Sequence, residues 1–302
     1  MSSIAQKTYT ATTPLKVAFL GLGAMGYPMA GHLQRAGFDV TVYNRNPAKA
    51  QTWVEEFGGR SATNPSLAVQ GADIVLACVG NHDSLREVTY GENGAFQGMK
   101  IDSIFVDHTT TSAEVAKEVA AQAQARGLHF IDAPVSGGQA GAINGVLTVM
   151  CGGEESAFNR AKPVIDTFAR SVVLLGPHGS GQLCKMVNQI CIAGLVQGLA
   201  EAIAFGERTG LDMKQVLDVV SKGAAQSWQM ENRGPTMLQN KFDFGFAVDW
   251  MRKDLGLVFD EAKRNGAKLP VTELVDSFYA QIQANGNNRM DTSSLITLLK
   301  KA

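Results

Sequence analysis

The sequence carries almost no charge imbalance. Its 302 residues hold 27 Lys and Arg against 28 Asp and Glu, a formal net charge of −1. Near-neutrality excludes a global phosphate-binding surface, so no nucleic-acid partner is expected. Cysteine is scarce too: Cys78, Cys151, Cys184 and Cys191 form no C-x-x-C pair. That spacing argues against a disulfide framework or a zinc site and points to reduced thiols in a cytoplasmic setting. The few histidines are scattered and suggest no metal. Residues 1–14 lack the apolar core of a signal peptide and read as a flexible leader. The longest apolar stretch, Val187 to Gly206, is broken by Asn188, Gln189, Gln197 and Glu201. It reads as a buried helix and not a membrane span. No internal repeat or low-complexity tract is present.

A 45% hydrophobic content is enough for a real core, which excludes wholesale disorder. Glycine is abundant at 32 residues, well above the usual ~7%. From Leu15 the chain alternates short Val/Ile-rich runs with helical stretches. Lys16–Leu20, Phe38–Tyr43, Asp73–Val79, Ser103–Asp107 and His129–Ala133 read as strands. Leu147–Cys151 and Ser171–Leu175 extend the set. Such alternation predicts a parallel sheet with crossover helices. After Gly181 no convincing strand remains, and residues 182–209, 212–222, 250–265 and 271–285 read as helices. The expected class is α/β: a doubly wound parallel sheet over residues 15–178, then an all-helical domain over 179–302.

Gly21-Leu22-Gly23-Ala24-Met25-Gly26 fits G-x-G-x-x-G between the first strand and the first helix. The first glycine permits the tight turn, the second lets a pyrophosphate approach, and the third allows close helix–sheet packing. The helix N-terminus then offers free N–H groups to phosphate. This is the fingerprint of a dinucleotide-binding Rossmann domain. At the end of the second strand stands Asn44-Arg45-Asn46, where NAD-specific sites usually place a carboxylate. No acid repels a 2′-phosphate there, and Arg45 can pair with one. NADP(H) is therefore the expected cofactor, with NAD(H) possible.

Three further segments carry polar groups in suggestive places. Asp132-Ala133-Pro134-Val135-Ser136-Gly137-Gly138 leaves the carboxyl end of a strand, where ligands bind in open α/β sheets. In Gly176-Pro177-His178-Gly179-Ser180-Gly181 and the helix after it, Lys185, Asn188 and Gln189 share one face. Burial of Lys185 near the start of an apolar helix would lower its pKa and suit acid/base work; the competing reading is a Lys that snorkels to water. Lys253-Asp254 opens another helix.

Together these four pieces resemble the β-hydroxyacid dehydrogenase family, which contains 3-hydroxyisobutyrate dehydrogenase and tartronate semialdehyde reductase. The resemblance runs from residue 15 to about 290. It implies Lys185 as the catalytic group, with Asn188, Ser136, Gly137, Gly138 and Lys253 contacting substrate. It implies cofactor contacts at residues 21–26, Asn44, Arg45, Val79, Thr110 and Lys253. The implied reaction is reversible hydride transfer at the hydroxyl-bearing carbon of a small β-hydroxyacid, or reduction of the matching semialdehyde or ketoacid. A homodimer or homotetramer is implied, and Gly194, Gly198 and Ala202 at four-residue spacing suit close helix approach. Two departures stand out: Val79-Gly80-Asn81 replaces the family's usual Leu-Pro pair, and His108 replaces a small residue. Two rival readings are an imine reductase-like enzyme and a non-catalytic interaction protein; both lack the lysine present at 185. The 6-phosphogluconate dehydrogenases are excluded by length.

Overall fold

In the computed structural model, residues 3–10 and 15–300 are described. The chain divides into two compact units between Lys185 and Met186, seven residues beyond the boundary expected at 178.

The first unit begins β1 (Lys16–Leu20), α1 (Gly26–Arg35), β2 (Asp39–Tyr43), α2 (Pro47–Phe57), β3 (Arg60–Ser61) and α3 (Pro65–Ala68). It continues β4 (Ile74–Ala77), α4 (His82–Tyr90), α5 (Ala95–Gly98), β5 (Ile104–Asp107), α6 (Ala113–Gln124) and β6 (His129–Asp132). It closes with β7 (Val135–Ser136), α7 (Gly138–Asn144), β8 (Leu147–Gly153), α8 (Glu155–Ile165) and β9 (Ala169–Leu174). The nine strands run in the order β3-β2-β1-β4-β5-β6-β8-β7, with β9 beside β8. Strands β1 to β6 pair in parallel, as the alternating pattern requires. Beyond β6 the sheet is mixed, because β8 runs antiparallel to both β6 and β7. The expected parallel sheet is observed over β1 to β6, and parallel pairing returns between β8 and β9.

Alternation along β1 shows how the sheet is covered on both faces. Val17 and Phe19 enter one apolar layer with Met29, Leu33, Trp53 and Phe168. Ala18 and Leu20 enter the other with Leu85, Phe105, Val119 and Phe130. Successive side chains point to opposite faces, so one apolar strand feeds two cores.

Residues 3–10 do not stand free as a leader. Ile4 is buried, the Ala5 N–H donates to the Ile143 carbonyl at 3.0 Å, and Lys7 Nζ donates to the carbonyls of Gly145 and Thr167. The Tyr9 hydroxyl lies 2.7 Å from His32 Nδ1. The carbonyls at the end of α7 need donors, and this segment supplies them. The rest of the expected leader, residues 1–2 and 11–14, lies outside the described residues.

The second unit is helical: most of α9 (Ser180–Arg208), then α10 (Met213–Val220), α11 (Trp228–Leu238), α12 (Val248–Asn265) and α13 (Pro270–Ala284). Its core joins Val196, Leu199 and Ile203 of α9 to Met230, Met251, Leu255, Tyr279 and Ile282. By length and composition α9 could cross a membrane, but half of its apolar window is buried inside the protein.

Candidate active site

Sheet register gathers the first set of candidate residues. Leu20 is paired with Tyr43 on one side and Ala77 on the other; Ala77 pairs with Asp107, and Asp107 with Asp132. The glycine turn, Asn44–Arg45, Val79, Thr110 and the segment after Asp132 therefore all leave one carboxyl edge, the edge at which open α/β sheets bind ligands.

The turn itself is shaped by close approach. A Cβ on Gly21, whose φ is +96°, would lie 2.4 Å from the Cys78 carbonyl oxygen. One on Gly26 would lie 2.0 Å from the Gly21 oxygen. Around Gly23, by contrast, no atom lies within 4 Å of where a Cβ would be. The turn is thus tight on its protein side and open at its middle glycine, the shape a diphosphate requires, and the residues fit a dinucleotide. No side chain caps the start of α1; the Tyr27 and Met29 N–H groups donate back to the Gly23 and Met25 carbonyls at 3.1 and 3.3 Å, and Pro28 has no N–H. Leu22 stands between the first two glycines of the turn. Its side chain is fully buried and its N–H donates to Asn44 Oδ1 at 2.9 Å. Leu22 and Asn44 therefore brace the turn from within. Gly23, Ala24 and Arg45 are exposed, and Met25 is half-buried.

Val79 and Thr110 sit on neighbouring loops that are stitched together. The Val79 N–H donates to Thr109 Oγ1 at 3.0 Å, and the Thr109 N–H donates to Asp107 Oδ1. Asn81, in the unusual Val-Gly-Asn segment, accepts from the Ser84 N–H and starts α4. His108 faces neither solvent nor an open edge. It is fully buried, donates from Nδ1 to the Ala133 carbonyl at 2.7 Å, and meets Phe168 edge-to-face. Burial lowers its pKa to about 4 despite that hydrogen bond.

Asp132 opens the second segment and is wholly buried. Its carboxylate accepts the N–H groups of Gly179 at 2.7 Å and Gln182 at 3.0 Å, capping the first turn of α9. Burial pushes its pKa up, against the opposing pull of those two N–H groups. The contact is close because Gly181 has no side chain: a Cβ there would lie 2.3 Å from the Met150 oxygen. Beyond Asp132, Ser136, Gly137 and Gly138 are half-buried at the β7–α7 turn, and Gly137 and Gly138 adopt φ of +126° and +61°.

Lys185 lies in the second turn of α9 and is only 7% exposed. Burial to this degree weighs against the snorkelling alternative, in which the head group reaches water. Three residues on along the same helix is Asn188, which belongs to the second unit. There Asn188 Nδ2 donates to Gln189 Oε1 at 2.7 Å, and Gln189 Nε2 donates to Asp254 Oδ2 at 2.7 Å. Asp254 Oδ1 in turn lies 3.0 Å from Lys253 Nζ. Gln189 and Asp254 are both 2% exposed, so this is a buried chain of polar groups joining Asn188 to Lys253. Sequence reasoning placed Asn188 and Lys253 but gave no role to Gln189, Asp254 or Gln182. The available signal was a run of amide side chains on an otherwise apolar helix.

A dinucleotide turn on a doubly wound sheet, a buried lysine at the end of that first unit and a helical unit after it define an NAD(P)-dependent oxidoreductase. Residues 16–176 match the NAD-binding domain of 6-phosphogluconate dehydrogenase, and residues 179–299 the NAD-binding domain of NADP-dependent 3-hydroxyisobutyrate dehydrogenase. An uncharacterized oxidoreductase of Shewanella frigidimarina is 61% identical over 95% of this chain and 99% of its own. The 2-hydroxy-3-oxopropionate reductase of Escherichia coli is 33% identical over 95% of this chain and 97% of its own. The solved 3-hydroxyisobutyrate dehydrogenase of Mycobacterium tuberculosis, with L-serine, superposes with a TM-score of 0.86 at 31% identity, covering 96% of this chain and all of that one. The chain belongs to the β-hydroxyacid dehydrogenase family, which acts on small hydroxyacids, and is an NAD(P)-dependent hydroxyacid dehydrogenase.

Proposed function

We propose that this enzyme prefers NADP(H) and interconverts a small β-hydroxyacid with its semialdehyde or ketoacid, Lys185 serving as the acid/base. The observation that carries this reading is the burial of Lys185 on a helix whose first turn is fixed by Asp132. A lysine in that setting keeps a defined position and is shielded from water.

The glycine turn and the N-terminus of α1 would hold the diphosphate, and Arg45 the 2′-phosphate. When bound, the nicotinamide supplies or accepts the hydride. Lys185 takes the hydroxyl proton in oxidation and returns it in reduction. Asn188, held by Gln189, orients the substrate oxygen, and Lys253, held by Asp254, adds a positive charge. Ser136 and the Gly137–Gly138 backbone bind the carboxylate. Family membership supports the coarse assignment; Arg45 and the missing carboxylate beside it support NADP(H). Lys185 supports a hydroxyacid over a cyclic imine as substrate and argues against a non-catalytic role.

The working form is proposed to be a homodimer or homotetramer in the cytoplasm. On α9, Val187, Leu195 and Phe205 are 60%, 46% and 70% exposed, and no atom lies near a Cβ built on Gly194 or Gly198. A panel of small hydroxyacids and semialdehydes, followed at the nicotinamide absorbance with both cofactors, tests the assignment. Turnover with a hydroxyacid or semialdehyde and NADP(H) is expected. Turnover confined to cyclic imines, or none across the panel, would overturn it.

A further inference from the structure

Gln182 is fully buried, and its amide is spent on a segment more than seventy residues away. Gln182 Nε2 donates to the Thr109 carbonyl at 2.8 Å, and Gln182 Oε1 accepts the Thr111 N–H at 3.0 Å. The two contacts flank Thr110. Thr109 is itself tied by its hydroxyl to the Val79 N–H and by its own N–H to Asp107. The Gln182 backbone N–H meanwhile donates to Asp132 Oδ2. One residue thus joins the ends of β4, β5 and β6 to the first turn of α9, and Lys185 lies three residues further along that helix, on the same side.

The chemistry of the two contacts restricts which residue can make them. A carbonyl needs a donor and an N–H needs an acceptor, side by side at the same reach. A primary amide offers both from adjacent atoms at neutral pH; a carboxylate offers acceptors alone. The Thr109–Thr111 backbone groups are buried with it, so losing the amide leaves them unsatisfied.

We propose that Gln182 is a positioning residue that sets the cofactor-side loop at Thr110 and the Lys185 turn of α9 in one fixed relation. The inference rests on the reading of Lys185 as acid/base and of Thr110 as a cofactor contact. A loop free to drift moves the cofactor relative to the proton donor, and displacements near 1 Å cost about 10²-fold in rate.

Two variants test this in the full-length enzyme. Gln182→Met removes both contacts, and Gln182→Glu keeps the acceptor for Thr111 but sets a carboxylate against the Thr109 carbonyl. Both are expected to lower kcat by about 10- to 100-fold and to raise the KM for cofactor, with a larger isotope effect from deuterated nicotinamide. Burial raises a carboxyl pKa, so Gln182→Glu gains a donor as it protonates toward acid pH. Its activity relative to wild type is expected to recover there, a profile Gln182→Met does not share. A residue that only stabilises the fold would lower the melting temperature and leave kcat, KM and the pH profile unchanged at temperatures where the variant is folded. Either Gln182→Glu or Gln182→Met behaving that way overturns the proposal. Lys185→Ala is measured alongside. If it retains turnover, the reading of Lys185 has failed; if it is inactive while folded Gln182 variants are normal, only this inference has.

Discussion

Gln189 donates its side-chain N–H to Asp254 at 2.7 Å, and both groups are almost completely buried. The bond fixes the Gln189 amide so that its oxygen is turned to Asn188, and it leaves the second Asp254 oxygen beside Lys253. A buried carboxylate is tolerable only when its lone pairs are met. Gln189→Leu should therefore lower stability by about 1–3 kcal/mol. It should also raise the KM for hydroxyacid, because Asn188 loses its fixed orientation. Urea denaturation and steady-state kinetics check both; a variant matching wild type in both would show that this chain of groups orients nothing.

Cofactor preference should turn on Arg45. It is exposed at the end of β2, while its neighbour Asn44 is occupied with the Leu22 N–H. Losing one charge-assisted phosphate contact costs about 1.5–3 kcal/mol, or about 10- to 150-fold in affinity. Arg45→Asp should weaken NADP(H) by that factor and leave NAD(H) little changed. A wild-type enzyme with higher kcat/KM on NAD(H) would contradict the reading of this loop.

His108 should make stability depend on pH. Its folded pKa is about 4, against an ordinary 6.5. Below 6.5 the unfolded chain binds a proton that the folded chain refuses, so stability is lost as pH falls toward 4. The full effect is about 3 kcal/mol. His108→Asn should lose less stability than wild type between pH 7.5 and pH 4.5, read as the difference in urea midpoints. Equal losses would show that the buried ring is not responsible.

The outer face of α9 should be an interface between copies. Phe205 is 70% exposed there, beside glycines that leave room for another helix. Light scattering at micromolar concentration should give two or four times the chain mass of 32.2 kDa. Phe205→Arg should shift the population toward single chains. A wild type that scatters only as single chains would remove this proposal.

The sheet, the glycine turn and the long helices were legible because period-2 and period-3.6 patterns, glycine placement and motif order all agree locally. Other features depend on distant partners. The antiparallel turn at β8 reads no differently from a parallel strand, since Leu147–Cys151 is apolar but for Thr148. Helix α11 carries Gly234-Pro235, and α8 carries Pro163, residues that mark breaks in a sequence but are accommodated here. Residues 3–10 looked like a solvated leader because their binding partners, the carbonyls at Ile143, Gly145 and Thr167, lie more than a hundred residues away. Gln182 was hidden for the same reason: nothing near it in sequence tells that its amide meets Thr109 and Thr111. Lys185, Asn188 and Lys253 were legible only because four motifs occur in order; singly, each resembles an ordinary polar residue on a helix.

The most direct test of the account is kcat of Lys185→Arg, with Lys185→Ala and cofactor affinity by fluorescence measured beside it. Lys185→Ala should bind cofactor normally, because the diphosphate rests on the Gly21–Gly26 turn, and turnover should fall by about 10²–10⁴-fold. Guanidinium stays protonated and cannot accept the hydroxyl proton, so Lys185→Arg should not restore it. Near-wild-type turnover in Lys185→Arg would contradict the account and leave Lys253 as the next candidate for the proton.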